Sequence, residues 1–543
     1  MKKRVIGLLM TAVLGIGILA GCGSSQGAEG GTSAGDNTDE KVVVVGMSSD
    51  LQTLDPDQMY EVYGNLYAYA CYDNLYAVQG NTTEPKPSLA TGYSVDDSGK
   101  VFTFELRDDV IFSSGNQMTS ADVVFSINRL INLKGNPSYN AANIESVEAD
   151  GDYKVKITLK ETEAPGTLLA KLSSNAFAIL DSKILKENGG LDTEDASTAD
   201  TATKWLDSHS AGSGPYTLES WTTGEELILV KNKNYWGDCG DVDKFILKEI
   251  SDTNSEIQML QSGDIDVAME LSNDNKDQIT SPDISVETAQ TDTITFLFMN
   301  GDENISGPLA NEKVREAISY AIDYDGLKSL CGDGAVSIGS FETLDMGGYE
   351  RESGYRDIEK AKKLLTEAGY PDGFDTTLTV GNVVNEGMAW SVIGQKIQGD
   401  LAEIGVNIKI STVEPAVLYD DYRNGKSSFI VMYWSPDYFD MSNTALGFMP
   451  SNVYDGLIGT RGNWKVDEAR AKQYTDLIDV VKTSSNDDKR SDAVQKLQSM
   501  YAEDGNCIFL LQHPKIYAYN QNVVSDVEYN NLTKLMLKDI KMK

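Results

Sequence analysis

The chain begins with one apolar run, from Val5 to Ala20, which follows the positive residues Lys2, Lys3 and Arg4. A helix that spans a bilayer needs about 20 apolar residues, so this run is too short to span comfortably. Its positive start and its length are typical of a cleavable signal. The sequence offers no second apolar run of spanning length. We therefore expect the rest of the chain to fold as a body that is anchored to a membrane and not embedded in it.

The run ends in Leu19-Ala20-Gly21-Cys22, which resembles a bacterial lipobox. In such signals the chain is cut before the cysteine, and the cysteine carries the lipids. Residues 1–21 are therefore the predicted lipoprotein signal peptide, and Cys22 is the predicted lipidation site. The alternative is an ordinary signal peptide with a chance cysteine. The predicted location is the extracellular face of the cell membrane, through a lipid anchor.

Residues 22–40 are mostly small and polar, with almost nothing to bury. Such a composition cannot offset the entropy of ordering, so a flexible tether is predicted. About 500 residues follow, which predicts roughly three domain-sized units, and a hydrophobic content of 41% suffices for large cores. The formal net charge of −37 argues against nucleic acid or an anionic membrane surface as a partner of this body. We expect a monomer.

Four cysteines lie beyond Cys22, namely Cys71, Cys239, Cys331 and Cys507. No two of them have CxxC spacing, so neither a zinc ribbon nor a thioredoxin motif is offered. One or two disulfides outside the cell and free buried thiols remain as alternatives.

The common catalytic motifs are missing from the body that follows residue 40. It contains no HExxH, GxSxG or GxxxxGK[ST], and the chain has only two histidines. His513 follows a predicted buried strand, so a structural, hydrogen-bonded role is the better interpretation, and His209 lies in a predicted polar loop. The 83 acidic residues make chance carboxylate pairs inevitable, and no pair stands out. We expect no catalytic residue, no metal site and no cofactor, and a surface hydrolase is the alternative from another functional class.

The local patterns predict several elements. Residues 41–47 are β-branched and predict the first strand, and residues 60–76 predict a tyrosine-rich helix, some of whose rings could face a cleft. Asp97-Ser98-Gly99 predicts the turn of a hairpin, and residues 110–112 predict a short strand. Thr119 or Ser120 is expected to cap a helix with Asp122 in its first turn.

A series of short motifs covers most of the body in a fixed order. They are Pro87-Ser88-Leu89-Ala90, Ser98-Gly99-Lys100, Phe104-Glu105-Leu106-Arg107, residues 115–123, Gly212-Ser213-Gly214-Pro215-Tyr216, and residues 231–237, 260–266, 313–323 and 361–374. Together they resemble the family 5 solute-binding proteins of ABC importers, the dipeptide and oligopeptide group. We interpret most of them as scaffold: Gly214-Pro215 as a rigid turn whose glycines permit positive φ, and Arg315 with Asp323 on one helix.

The resemblance implies an α/β, two-lobed, periplasmic-binding-protein-like fold (type II, cluster C) with an extra inserted subdomain. Lobe I would comprise residues 41–75, 211–290 and 515–543, the inserted subdomain 76–210, and lobe II 291–514. The implied role is a receptor that captures a di- or oligopeptide and delivers it to an ABC transporter permease. Relatives also bind nickel complexes, haem, sugars and opines, so a non-peptide ligand is an alternative, as is a sensor or chaperone-like surface protein.

The predicted binding site lies at the end of an apolar strand that starts at Phe429 and runs into Trp434. Strand ends that open into loops often bind ligands, and a ring beside an acid suits a cation with apolar parts. A tryptophan that only closes the core is the alternative. In peptide binders of the resembled family, a Trp-x-x-Asp here supplies an aspartate for the α-amino group of the ligand, and Asp437 takes that place.

The same resemblance predicts further contacts. Trp434 would be the flanking ring, and the backbone of Tyr433 and Ser435 would bind an extended ligand as an added strand. Asp440 is predicted to contribute as the second acid, although Met441 follows where many relatives have proline, which leaves the loop shape beyond it open. Arg461 is the chosen partner for a ligand carboxylate because guanidinium binds carboxylates bidentately, and Arg423 is a weaker choice.

Overall fold

The structure is a computed structural model that describes residues 40–49, 51–60, 63–349 and 355–543. The predicted signal peptide, Cys22 and all of the tether but its last residue lie outside the described residues. Within the described residues, no helix has the length and apolar character needed to cross a membrane.

The strands follow in chain order. They are β1 (Val42–Met47), β2 (Tyr76–Ala77), β3 (Lys86–Pro87), β4 (Ala90–Val95), β5 (Val101–Leu106), β6 (Ile144–Ala149), β7 (Lys154–Leu159), β8 (Tyr216–Thr222), β9 (Glu226–Lys231), β10 (Lys244–Glu249), β11 (Val267–Leu271), β12 (Ile284–Met299), β13 (Phe374–Gly381), β14 (Val384–Asn385), β15 (Met388–Ala389), β16 (Val406–Val413), β17 (Phe429–Trp434), β18 (Cys507–Asn520), β19 (Val524–Asp526), β20 (Tyr529–Asn530), β21 (Lys534–Leu535) and β22 (Lys541–Met542).

The α-helices alternate with these strands. They are α1 (Gly64–Cys71), α2 (Ser120–Leu133), α3 (Pro165–Leu172), α4 (Ser182–Glu187), α5 (Ala196–Ala199), α6 (Thr203–Leu206), α7 (Thr253–Ser262), α8 (Glu303–Ser306), α9 (Glu312–Ala321), α10 (Tyr324–Cys331), α11 (Ile358–Glu367), α12 (Trp390–Ala402), α13 (Pro415–Arg423), α14 (Met441–Gly447), α15 (Leu457–Arg461), α16 (Glu468–Thr483) and α17 (Asp487–Asp504). Short 3-10 helices lie at Asn136–Ala141, Asn175–Phe177, Lys276–Gln278, Gly307–Ala310, Leu344–Met346 and Leu537–Asp539.

A ten-stranded mixed sheet runs through the body in the order β16-β13-β17-β12-β18-β11-β1-β10-β9-β8. Its centre is the antiparallel pair β12 and β18, in which Ile284 pairs with Asn520 and Phe298 with Cys507. The register shifts between Gln290 and Ile294. All of β18 except its last residue is buried, which agrees with a strand covered on both faces.

The hydrophobic side chains form three large cores. The largest is built from residues between 294 and 511. A second core is built mainly from residues 43–72, 178–269 and 517–540, and a third from residues 75–179. Each of β12 and β18 therefore runs from one core into another. The register shift in their pairing lies between these two parts of the strands. The predicted lobe and subdomain boundaries stay a prediction.

The third core lies against a separate four-stranded sheet with the order β4-β5-β7-β6. β4 and β5 form the predicted hairpin, and Gly99 takes a φ of 70° in its turn, as a tight turn requires. Helix α2 follows, and Thr119 and Asp122 form a capping box at its start. Both local predictions are confirmed.

Two predicted elements are wrong in extent. The tyrosine-rich helix covers only Gly64–Cys71, and Tyr76 begins a strand. The helix ends because the side chains of Asp73 and Asn74 form hydrogen bonds with distant parts of the chain. The Asp73 carboxylate accepts from Trp236 and Ser213. The Asn74 amide donates to the carbonyls of Leu172 and Ser174. The predicted strand at residues 110–112 is only an isolated bridge between Ile111 and Gln117.

Two scaffold interpretations also change. Arg315 lies in α9, but Asp323 caps the next helix, α10, and accepts from the backbone N–H of Gly326. Gly214 does not have positive φ. The position needs glycine because a Cβ there would lie 2.5 Å from the carbonyl carbon of Cys71.

The structure shows the state of the four cysteines and the contacts of the two histidines. Cys71, Cys239, Cys331 and Cys507 are free thiols. His513 is buried and its Nε2 lies 2.7 Å from the hydroxyl of Thr295, which agrees with the structural interpretation. His209 stacks on Trp205, with ring centroids 4.5 Å apart.

Candidate functional site

Strand β17 ends at the predicted binding residues, where one of its two edges is no longer paired with a neighbouring strand. On one side, Tyr433 pairs with Thr295 and Trp434 with Ile294 of β12. On the other side, β17 pairs with β13 only at Ile430. Beyond Ile430, the second edge of β17 therefore has no strand partner among the described residues. Its backbone N–H and C=O groups are left to bind another chain.

Asp437 follows this strand end and carries a carboxylate in a protected environment. The Tyr60 hydroxyl donates a hydrogen bond to its Oδ1 at 2.9 Å, and the Tyr139 hydroxyl donates a second one. Burial raises the pKa of Asp437, and these two hydrogen bonds counteract part of that rise because they stabilise the charged form.

Tyr60 and Tyr139 were not among the predicted site residues. Their rings meet edge to face, with centroids 6.5 Å apart, and Tyr60 is 53% and Tyr139 47% exposed. These half-exposed rings beside a protected acid add to the aromatic cover that the sequence analysis assigned to Trp434. The tyrosine-rich segment does reach the site, although Tyr60 lies before the helix that the segment forms.

A cavity of about 330 Å³ is lined by Tyr60, Tyr433, Trp434, Ser435 and Asp437. The structure thus brings together most of the predicted site residues. Three cationic side chains line the same cavity, namely Arg423, Arg461 and Lys534. The Arg461 guanidinium lies 4.9 Å from the centre of the Tyr422 ring.

The remaining charged groups of this cavity are Asp292 and Glu386. Asp292 lies in the register shift of β12, and burial raises its pKa to about 7. Burial also disfavours the charged form of Glu386, but the ammonium of Lys515, 3.2 Å away, holds the pKa of Glu386 below its usual value. With Asp437, the lining carries as many acids as bases, which suits a solute with both charges.

Two predicted residues have structural partners. The Ser435 hydroxyl lies 2.8 Å from the Thr293 hydroxyl, which ties the strand end to β12. Asp440 caps α14 and forms an ion pair with Arg490, whose side chain is 1% exposed. Asp440 lines neither the cavity that contains Asp437 nor a second cavity beside it, which has a volume of about 530 Å³. Asp440 thus has a structural role in α14, and its predicted contact with the ligand stays a prediction.

The described residues contain no group of three or more His, Cys, Asp or Glu side chains that could hold a metal ion. Hydroxyls, rings, carboxylates and guanidinium groups dominate the site instead. Such a set binds polar organic solutes by hydrogen bonds and ion pairs.

Comparison with protein families decides the class of this chain. Residues 84–455 match the model of the bacterial extracellular solute-binding proteins, family 5 Middle. The chain belongs to this family. Family 5 solute-binding proteins are transport-associated binding proteins and not enzymes.

Curated relatives extend the likeness over most of the chain. The probable D,D-dipeptide-binding periplasmic protein DdpA of Escherichia coli is 27% identical over 491 residues, which cover 89% of this chain and 90% of that protein. The glutathione-binding protein GsiB of Salmonella typhimurium is 29% identical over 390 residues, 69% of this chain and 70% of that protein.

Solved structures confirm the two-lobed α/β fold. The substrate-binding protein CtaP of Listeria monocytogenes has a TM-score of 0.77 at 19% identity and covers 93% of this chain and 99% of its own. DppA of Helicobacter pylori, solved with the peptide STSA, has a TM-score of 0.73 at 24% identity and covers 92% and 98%.

Proposed function

We propose that this family 5 solute-binding protein captures a di- or oligopeptide in the cavity beside β17 and delivers it to an ABC transporter permease. The observation that carries the proposal is Asp437, a protected carboxylate at a strand end with aromatic side chains around it. A carboxylate in such a place binds an ammonium group by charge-assisted hydrogen bonds. In this proposal Asp437 binds the α-amino group of the peptide.

The backbone at the end of β17 supports an extended ligand. Because β13 pairs with β17 only at Ile430, the edge at Tyr433 and Trp434 is open to β-augmentation. The Trp434 ring covers the first residue of the peptide, and the backbone of Tyr433 and Ser435 binds its peptide groups.

The cationic side chains of the cavity support the other end of a peptide. Arg461, Arg423 and Lys534 line the cavity that contains Asp437. Arg461 remains the proposed partner of the ligand carboxylate, since its planar guanidinium binds carboxylates bidentately. Relatives that are named for a D,D-dipeptide and for glutathione agree with a short peptide as the class of solute.

The first experiment identifies what the protein carries. The purified protein is denatured mildly, and mass spectrometry of the released material is expected to find short peptides. Calorimetric titration of the ligand-free protein then compares the recovered peptide with its N-acetylated form. Acetylation removes the ammonium charge, so we expect the affinity to fall about 10- to 100-fold, the cost of a hydrogen bond to a charged group.

Asp437→Asn is the matched variant, because it removes the charge and keeps the shape. It should lose the difference between the free and the acetylated peptide. Asp97→Asn, in the exposed turn between β4 and β5, is the control and should keep it. Recovery of a non-peptide solute, or equal affinity of Asp437→Asn for the free peptide, would refute the amine contact.

We also propose that Cys22 anchors the protein by covalent lipid at the outer face of the cell membrane. The lipobox-like Leu19-Ala20-Gly21-Cys22 supports this proposal. Labelling with radioactive palmitate should mark the wild-type protein and not Cys22→Ser, which should also leave the detergent phase after phase separation. Label on the variant would contradict the anchor.

A further inference from the structure

A small hydrophobic core lies beside the cavity of the proposed site. It consists of three buried side chains, Val78, Phe439 and Leu532, with Tyr69 and Met346 packed against them. We call it the joint core. Leu532 also lines the cavity of the proposed site, whereas Phe439 and Val78 line neither that cavity nor the second cavity beside it. Substitutions of Phe439 and Val78 therefore leave the lining of both cavities unchanged.

The members of the joint core come from parts of the molecule that otherwise pack separately. Phe439, between β17 and α14, and Met346 belong to the stretch that builds the largest core. Val78, just after β2, and Leu532, between β20 and β21, belong to stretches that build the other two large cores. β12 and β18 run from one core into another and contribute no side chain to the joint core. The contacts of the joint core can therefore separate if the two lobes rotate about these strands.

Residues 437–440 make polar contacts across the same boundary. The Tyr60 hydroxyl donates to Asp437 at 2.9 Å, and the Thr167 hydroxyl donates to Asp440 at 2.8 Å. Phe439 lies between these two acids in the chain and packs in the joint core. Water can replace the two hydrogen bonds when the lobes part, but exposure of a phenylalanine costs free energy in proportion to its apolar area. The packing of Phe439 is therefore a contact that favours closed lobes.

The carboxylate of Asp437, on the same segment, opposes closed lobes. Burial raises the pKa of Asp437 because it disfavours the charged form. The hydroxyls of Tyr60 and Tyr139 offset only part of this cost. At pH 7, closure of the lobes must therefore take a carboxylate out of water, which costs free energy unless a positive charge comes with it.

We propose that Phe439 is an apolar lock: its packing in the joint core stabilises the closed arrangement of the two lobes, and a cationic group bound at Asp437 promotes closure because it neutralises the carboxylate that opposes it. This inference rests on the proposed function in one respect, since it takes an amine to be the group that Asp437 binds. A ligand shifts such an equilibrium only through its better contacts in one state. The ammonium–carboxylate pair supplies that difference, and Phe439 adds stabilisation without touching the ligand.

The first test needs no ligand. Asp437→Asn removes the charge and keeps the shape of the side chain, so this variant should be more compact than the wild type when both are free of ligand at pH 7. Small-angle X-ray scattering measures the radius of gyration. Addition of Phe439→Ala to Asp437→Asn should restore the larger radius of the wild type. Equal radii for the wild type and Asp437→Asn, or compaction that persists in the double variant, would overturn the lock.

The second test measures rate constants with the tripeptide Ala-Ala-Ala, followed by stopped-flow tryptophan fluorescence because Trp434 lines the cavity. Release requires opening of the lobes. Phe439→Ala should therefore raise the dissociation rate constant about 10- to 100-fold, the effect of losing the burial of one phenylalanine, and should not lower the association rate constant. Phe439→Leu keeps most of the apolar surface and should recover most of the wild-type rate. A phenylalanine that only stabilises the folded protein would change the active fraction and neither rate constant.

A second variant tests the lock from the other side of the joint core. Val78→Ala should raise the dissociation rate constant about 3- to 10-fold, the effect of removing one or two buried methyl groups. Val155→Ala is the matched control, because it removes the same groups from a valine of β7 that is buried within the third core alone. The control should keep the wild-type rate constants. Circular dichroism checks that each variant is folded.

The outcomes separate the two proposals. If Ala-Ala-Ala does not bind to the wild type, the peptide function fails, and the scattering of ligand-free Asp437→Asn decides the lock by itself. If the tripeptide binds and both Phe439→Ala and Val78→Ala release it at the wild-type rate, the peptide function stands and the lock is refuted. Faster release from both variants, with Val155→Ala unchanged, supports the lock.

Discussion

At the scale of the residue, Asp437 controls how the proposed amine site responds to pH. Burial raises its pKa above the ordinary value of about 3.9 for aspartate. Only the ionised carboxylate attracts an ammonium group. Because its pKa is raised, the Asp437 carboxylate is protonated, and the amine site is lost, at a higher pH than for an ordinary aspartate. The hydroxyls of Tyr60 and Tyr139 oppose this by stabilising the charged form.

We therefore predict that the affinity for a peptide falls as the pH falls through the raised pKa of Asp437. Tyr139→Phe removes a hydrogen bond to the carboxylate, so the midpoint of the loss should move to higher pH. Titrations between pH 8 and pH 4 measure the midpoint. Tyr93→Phe, on the surface of β4, is the control and should not move it. A pH-independent affinity would contradict the role of Asp437.

At the scale of the element, a buried polar cluster joins α3 to α14 and α17. The Thr167 hydroxyl of α3 donates to Asp440 at 2.8 Å and accepts from Arg490 of α17 at 2.8 Å. Nearby, the backbone N–H of Ala164 donates to the carbonyl of Lys482 at 2.7 Å. Burial opposes the charge of Asp440, but the Arg490 guanidinium holds the pKa of Asp440 below its usual value. These contacts fix the loop that carries Asp437.

Arg490→Met should destabilise the protein by about 3–5 kcal/mol at pH 7, because it leaves the Asp440 carboxylate buried without a counter-charge. Urea unfolding measures the loss. Since the folded pKa of Asp440 is lowered, the stabilisation is present above its unfolded pKa and is lost as the pH falls through the folded value. The variant and the wild type should thus converge in strong acid.

Lys472→Met is the matched control for this prediction. Lys472 forms an exposed pair with Asp476 within α16, and such a pair contributes about 0.3–0.5 kcal/mol. An effect of Arg490→Met as small as that of the control would show that the Asp440 carboxylate is well solvated or protonated in the folded protein.

At the scale of the whole molecule, the net charge of −37 is a source of self-repulsion. Salt screens this repulsion more than it weakens the exposed ion pairs, because acids outnumber bases by 83 to 46. We predict that the melting temperature rises by about 2–4 °C between 10 and 300 mM sodium chloride at pH 7. Scanning calorimetry measures it, with equimolar sucrose as the uncharged control. A fall with salt would mean that the attractive pairs dominate.

The sequence was sufficient for features that a few neighbouring residues determine. The hairpin turn at Gly99, the capping box of Thr119 and Asp122, and the strand that ends at Trp434 all follow from local chemistry. The two-lobed fold followed from motifs in a fixed order and not from periodicity.

Distant packing was not accessible in this way. Tyr60 reaches Asp437 across 377 positions of the chain, and nothing in the segment around Tyr60 indicates that partner. Asp440 lies three residues after Asp437 in the same segment of aromatic and acidic residues, but the Asp440 carboxylate forms an ion pair with Arg490. The local sequence does not indicate such a distant partner.

The central pair of strands also determines when the protein can finish folding. In the large sheet, β12 and β11 are joined only through β18, which begins at Cys507 near the end of the chain. Every strand on either side is synthesised before it. A nascent chain that has not reached Cys507 therefore carries two half-sheets, each with an open edge, and open edges favour pairing with other chains. The last long strand to be synthesised is the one that removes this risk of aggregation.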